Sequence, residues 1–130
     1  MIFVDANFII ATASSVDKRH DRAMKLLPKV KKEERITSEP IISETITLIG
    51  EFHGAKAASN VYNYIKDTHL IYKDKNLFDE TLINYLKYDA TLSFADSTAI
   101  TIMKELNIHK IASFDSDFDR VDGITRIHWY

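Results

Sequence analysis

The stretch IFVDANFII (residues 2–10) sets three apolar side chains, Ile2, Phe3 and Val4, directly before an aspartate, Asp5, with Asn7 two residues later. A short apolar run of this kind reads as the first strand of a core. A carboxylate at its end needs a reason, because burying a charge is costly unless something compensates it. Either Asp5 caps the following helix, or it is one leg of a site whose other legs lie elsewhere in the chain.

Working outward, short β-branched runs alternate with longer helical patterns. MIFVD (1–5) predicts a strand, followed by a helical stretch that runs through HDRAMKLLPKV (20–30). ERITS (34–38), HLIYK (69–73) and KIASF (110–114) predict further strands, and TRIHWY (125–130) a last one with Trp129 half-buried. PIISETITLIGEFH (40–53) carries apolar residues at helical spacing behind Pro40, a residue suited to a first helical turn. AKAASNVYNYIKD (55–67) continues as helix, and LFDETLINYLKYD (77–89) and FADSTAITIMKELN (94–107) predict amphipathic helices. Strands separated by helices imply a three-layer α/β/α sandwich with a four- to five-stranded, mainly parallel sheet. Three glycines and two prolines leave no flexible linker, so residues 1–130 read as one domain.

The bulk numbers narrow the function. Seventeen basic against nineteen acidic side chains give a net charge of −2, so a broad basic coat for nucleic acid is absent. Basic residues are scattered except in KLLPKVKKEER (25–35), which reads first as a solvated face. No cysteine is present, which excludes a disulfide framework and a thiolate zinc site. With no signal-type start and no long apolar run, a cytoplasmic protein without membrane contact is expected. The five histidines, His20, His53, His69, His109 and His128, lack metal-ligand spacing and read as surface or core residues. The tyrosines of VYNYIKD and LINYLKYD fall at helical intervals and read as core or dimer packing.

The acids are more informative. In open α/β sheets the ligand crevice lies at the carboxyl ends of the strands. Asp5 ends the first strand and Asp115, in SFDSDFD (113–119), ends the fourth, with Asp117 and Asp119 just behind. Asp96 opens a helix, and Glu44 lies about one turn into the helix after the second strand. Each has a plain explanation alone: Ser93-x-x-Asp96 matches a capping box, Asp5 a cap, DSDFD a turn, Glu44 a solvated helix acid. Together they could meet at one end of the sheet, where neighbouring carboxylates about 4 Å apart repel by roughly 1–4 kcal/mol per pair. An all-oxygen cluster of that kind calls for a hard cation, Mg²⁺ or Mn²⁺, and suits phosphodiester hydrolysis.

With these residues in place, the chain resembles the PIN domain family, and most nearly the small toxin ribonucleases of VapBC toxin–antitoxin pairs. The carriers are FVDANFII, ITSEPIISET around Glu44, LSFADSTAI around Asp96, and IASFDSDFDRVDGI. The resemblance implies an acidic quartet of Asp5, Glu44, Asp96 and Asp115, with Asp5, Asp96, Asp115 and Asp117 as metal ligands. It also implies Asn7 and Ser113 as supports of the first aspartate and the metal site. Further implications are Mg²⁺- or Mn²⁺-dependent cleavage of RNA, a homodimer, and inhibition by an antitoxin seated on segments 8–27 and 40–66. A PIN nuclease of RNA processing and a non-catalytic module on the same fold are the alternatives. Other acid-pocket folds fit less well. DANFII lacks the glycines of a dinucleotide-binding turn, Asn7 stands where a phosphatase would need the second Asp of D-x-D, and no second acid adjoins Asp5 as in a receiver domain.

Overall fold

In a computed structural model that describes residues 1–130, the central strand is β1 (Ile2–Val4), buried along its whole length. The chain then runs through α1 (Ala6–Ala13), α2 (His20–Lys31), β2 (Arg35–Ser38), α3 (Glu39–His53), α4 (Ala55–Thr68) and β3 (Leu70–Tyr72). It continues with α5 (Leu77–Lys87), α6 (Phe94–Glu105), β4 (Lys110–Ala112), a short 3₁₀ helix (Ser116–Arg120) and β5 (Thr125–Ile127). All neighbouring strands pair in parallel, in the order β3-β2-β1-β4-β5. The three-layer α/β sandwich expected from the sequence is therefore observed, with five strands.

The pleat of β1 explains the two cores. Phe3 points to one side with Ile36, Ala99, Ile100, Ile111 and Phe118, under α5 and α6. Ile2 and Val4 point to the other, with Phe8, Leu26, Val30 and Ile65 of α1, α2 and α4. Successive side chains alternate between faces, so one strand feeds both layers and must be apolar throughout. Phe3, Phe8 and Phe118 are fully buried, each worth about 2–3 kcal/mol in removed apolar surface.

Several local expectations are corrected. The helical stretch after β1 is two helices, not one: Ser14 is extended, and its hydroxyl bonds His53 Nε2 at 2.8 Å. Beyond it Asp17 accepts from the Arg19 N–H in a local turn that competes with helix. Helix α6 is buried nearly all round rather than amphipathic. Its hydroxyls find partners, Thr101 with Thr81 and Asn84, and Thr98 with Ser38. β5 stops at Ile127, and Trp129 is exposed, not half-buried. Of the tyrosines read as packing, Tyr88 lies against a core, whereas Tyr62 and Tyr64 are 40% and 38% exposed. No helix is long and apolar enough to cross a membrane.

The topology fixes where a site can form. From β1 the chain moves outward through β2 and β3, then returns to place β4 and β5 on the other flank. The carboxyl ends of β1 and β4 therefore flank the switch point, where connections diverge and leave a crevice. Asp5 follows β1 and Ser113 follows β4.

Candidate active site

Asp5 is both a cap and more than a cap. Its backbone is extended at the start of α1, and its Oδ1 accepts the Ala6 N–H at 2.8 Å. The Asp5 N–H donates to the Ala112 carbonyl at 3.0 Å, tying the end of β1 to β4. Its second oxygen, Oδ2, accepts from the Ser113 hydroxyl at 2.6 Å. Ser113 Oγ in turn accepts the Asp115 N–H at 3.0 Å and lies 3.4 Å from Asn7 Nδ2. One hydroxyl thus uses its single proton and both lone pairs on site residues. Asn7 completes the brace, its Oδ1 accepting the Phe114 N–H at 3.0 Å. Asn7 and Ser113 therefore stand next to the first aspartate, where the family resemblance put them.

Glu44 sits in the second turn of α3, whose first turn is capped by Ser38 Oγ accepting the Ile41 N–H. The same Ser38 hydroxyl bonds Thr98 at 2.8 Å, linking the start of α3 to α6 and hence Glu44 to Asp96. Sequence reasoning missed this link, although a Ser before Glu-Pro is an N-cap signal that could have drawn attention to it. Glu44 Oε2 is buried without any hydrogen-bond partner. Asp96 lies in the first turn of α6, where Ser93 Oγ accepts its N–H at 3.0 Å as the cap. Asp115 caps the 3₁₀ helix, its Oδ1 accepting the Asp117 N–H at 2.9 Å.

The electrostatics show that these acids share one place. Burial raises the Asp5 carboxyl to about 6, against the pull of its Ser113 and Ala6 hydrogen bonds, and the charges of Glu44 and Asp115 raise it further. Asp96 is pushed up to about 8, first by burial and then by Asp5, Glu44 and Asp115. Glu44 is raised by burial and by Asp115. Every charged group acting on these three acids is another carboxylate. Two acids elsewhere are offset by cations: Glu33 pairs with Lys110, and Asp119 is held below the usual range by Arg126 at 2.8 Å.

Asp117 differs from the other predicted ligands. Its carboxylate accepts from Arg120 at 2.6 Å, and its charge does not register on Asp5, Glu44 or Asp96. Asp5, Glu44, Asp96 and Asp115 are near enough for their charges to act on one another, whereas Asp117 is engaged by Arg120. No three acids or histidines close into a metal cage. Mutual repulsion opposes such closure of charged carboxylates. The donor set nevertheless fits a hard divalent cation: all oxygen, uncompensated, with one buried oxygen lacking any partner.

Comparison with known proteins agrees with this fold. VapC20 of Mycobacterium tuberculosis, described as a sarcin-ricin loop cleaving toxin, is similar with a TM-score of 0.83 and 26% identity over 92% of this chain and 93% of its own. VapBC2 of Rickettsia felis, solved bound to a DNA fragment from its promoter, shares the fold with a TM-score of 0.71 and 12% identity, each chain covered in full. FitAcB of Neisseria gonorrhoeae does so with a TM-score of 0.66 and 12% identity, over 98% of this chain and 96% of its own. A search of curated protein sequences gave no significant match. The family model described as PIN domain matches residues 2–124, nearly the whole length over which strands, helices and acids have been traced. The chain belongs to the PIN domain family.

Proposed function

We propose that this protein is a divalent-cation-dependent endoribonuclease acting as the toxin of a toxin–antitoxin pair. The observation that carries the reading is the cluster of Asp5, Glu44 and Asp96, each raised by burial and by neighbouring carboxylates that include Asp115. The similarity to a toxin described as cleaving the sarcin-ricin loop favours RNA as substrate. Asp5 and Asp96 would hold Mg²⁺ or Mn²⁺, with Asp115 contributing directly or through water. Bound there, such a cation neutralises the carboxylates, acidifies water and offsets charge on the phosphate oxygens.

The chain's own residues supply the rest. Ser113 and Asn7 hold the Asp5 carboxylate in one orientation, and Ser113 also holds the Asp115 backbone. Glu44, with its unpaired oxygen and raised pKa, would orient the attacking water and take its proton. Water oxygen bonds to phosphorus, the bond to the 3′ oxygen breaks, and that oxygen leaves with a proton. The 2′-hydroxyl takes no part.

For partners, the groove between α1, α2 and α4, lined by Ile9, Met24, Leu27 and Val61, suits an apolar antitoxin segment. The exposed apolar stripe of α5 (Phe78, Leu82, Ile83, Leu86) suits a second copy of the chain.

The test is cleavage of RNA with Mg²⁺, Mn²⁺ or chelator. Activity is expected only with the cations, giving products with 5′-phosphate and 3′-hydroxyl ends. Chelator-resistant cleavage, or products ending in 2′,3′-cyclic phosphate, would contradict the proposal.

A further inference from the structure

The net charge leaves open how an acidic protein would hold RNA, and the surface beside the site offers an answer. Phe114 directly precedes Asp115 and is braced by Asn7. Arg22 of α2 lies with its guanidinium carbon 4.7 Å from the Phe114 ring centroid and 5.1 Å from that of Trp129. Arg19 approaches the Phe114 ring at 5.6 Å. Trp129 and Tyr130 stack on each other, centroids 5.1 Å apart and planes 9° from parallel. Lys25 Nζ lies 4.9 Å from the Tyr130 ring and 3.4 Å from its hydroxyl. A column of rings and cations therefore leads from the acid cluster to the surface.

Two features separate this column from ordinary packing. Trp129 and Tyr130 are 60% and 61% exposed, so large ring surfaces face water although neither belongs to a core cluster. Arg19, Arg22 and Lys25 have no carboxylate within 4.0 Å and instead lie over the rings of Phe114, Trp129 and Tyr130. Asp21 is the sole acid on α2, which also carries Lys29 and Lys31. Exposed stacked rings bordered by unpaired cations match what a single-stranded nucleic acid presents, π-faced bases on a chain of phosphates.

We infer that Trp129 and Tyr130, with Arg19, Arg22 and Lys25, form a stacking platform that holds single-stranded RNA beside the acid cluster, an inference that rests on the ribonuclease reading above. The rings take bases without sequence preference, and the three cations neutralise neighbouring phosphates. The platform lies along the flank of β5 and α2.

Trp129 is the one tryptophan in the chain, so its fluorescence reports base stacking directly. The experiment titrates the full chain, in chelator so that nothing is cut, with a decauridylate and with an abasic ribose-phosphate chain of equal length. Saturable quenching by decauridylate and none by the abasic chain is expected. Anisotropy of labelled decauridylate should show Tyr130→Ala and Trp129→Ala binding roughly 5- to 100-fold more weakly. Arg22→Ala should lower the slope of log affinity against log salt by about 0.7. Absence of quenching, or wild-type affinity in the Trp129→Ala/Tyr130→Ala double variant, overturns the platform. Cleavage assays on the same proteins keep the two readings apart. RNA cut with unchanged KM by the double variant refutes the platform alone, whereas stacking without any cleavage by the wild type supports the platform and refutes the nuclease reading.

Discussion

Asp5→Asn is expected to reduce cation-dependent RNA cleavage by about 10³-fold or more, the scale lost when a group stabilising transition-state charge is removed. The change keeps the volume of the side chain and one oxygen for the Ala6 N–H. It removes the charge and turns the Ser113 partner from acceptor to donor, while Ser113 Oγ already receives two N–H groups. The hydroxyl proton then has no acceptor in the site, so the brace between β1 and β4 weakens together with the cation site. Relief of repulsion from Glu44 and Asp115 works the other way on stability. The thermal midpoint should therefore stay close to that of the wild type in chelator, which separates lost chemistry from lost folding. Cleavage within a few-fold of wild type would rule out the proposed site.

The second large effect is a pH dependence of opposite sign to ordinary acid denaturation. A carboxyl whose pKa is raised by folding contributes stability that is complete below its unfolded value and lost as pH rises through the folded value. For Asp5 that loss runs from about pH 4 to about 6, and for Asp96 from about pH 4 to about 8. His69 opposes it at the acid end. Burial lowers it to about 4, so the folded protein gains stability as pH rises toward the ordinary histidine value of 6.5. Between pH 6.5 and 8 the Asp96 loss stands alone. The slope is steepest near pH 6.5 and fades toward the folded value, so the metal-free protein should lose on the order of 1–2 kcal/mol and a few degrees of melting temperature across this window. Stabilisation by Mg²⁺ should grow over the same window, because protons and cation compete for the same oxygens. Asp96→Asn should abolish the slope, raise the midpoint in chelator at pH 8, and blunt the response to Mg²⁺. Differential scanning calorimetry at pH 6.5 and 8, with and without Mg²⁺, measures all three. A flat wild-type profile, or an equal Mg²⁺ response in the variant, would count against the cluster.

Much of this was legible in the sequence, for identifiable reasons. Ile2-Phe3-Val4 announced a strand buried on both faces because each pleat direction meets an apolar layer. Asp5, Glu44, Asp96 and Asp115 could be read as a set because strand ends and first helical turns are where a parallel sheet gathers its functional groups. Three of the four plain explanations point to real local structure, since Asp5, Ser93 and Asp115 all form caps, whereas Glu44 buries one carboxylate oxygen instead of standing in solvent. Capping and clustering are one arrangement, since the cap fixes the carboxylate that the crevice uses.

What the sequence concealed depends on contacts between distant segments. The break after α1 is fixed by Ser14 meeting His53, a pairing no local pattern encodes. α6 looked amphipathic because its threonines read as polar, yet Thr98 and Thr101 spend their hydroxyls on Ser38, Thr81 and Asn84. Asp117 stood beside Asp115 in sequence, but the 3₁₀ turn delivers it to Arg120. Trp129 read as half-buried in a last strand, yet it stands exposed with Arg22 of α2 over its ring.

The central claim is that the acid cluster is a divalent-cation site, and the most direct measurement is Mn²⁺ binding at pH 8 by electron paramagnetic resonance. The account predicts saturable binding to the wild type and at least tenfold weaker binding to Asp96→Asn, in proportion to the loss of a ligand. Equal Mn²⁺ affinity in the two proteins would contradict it.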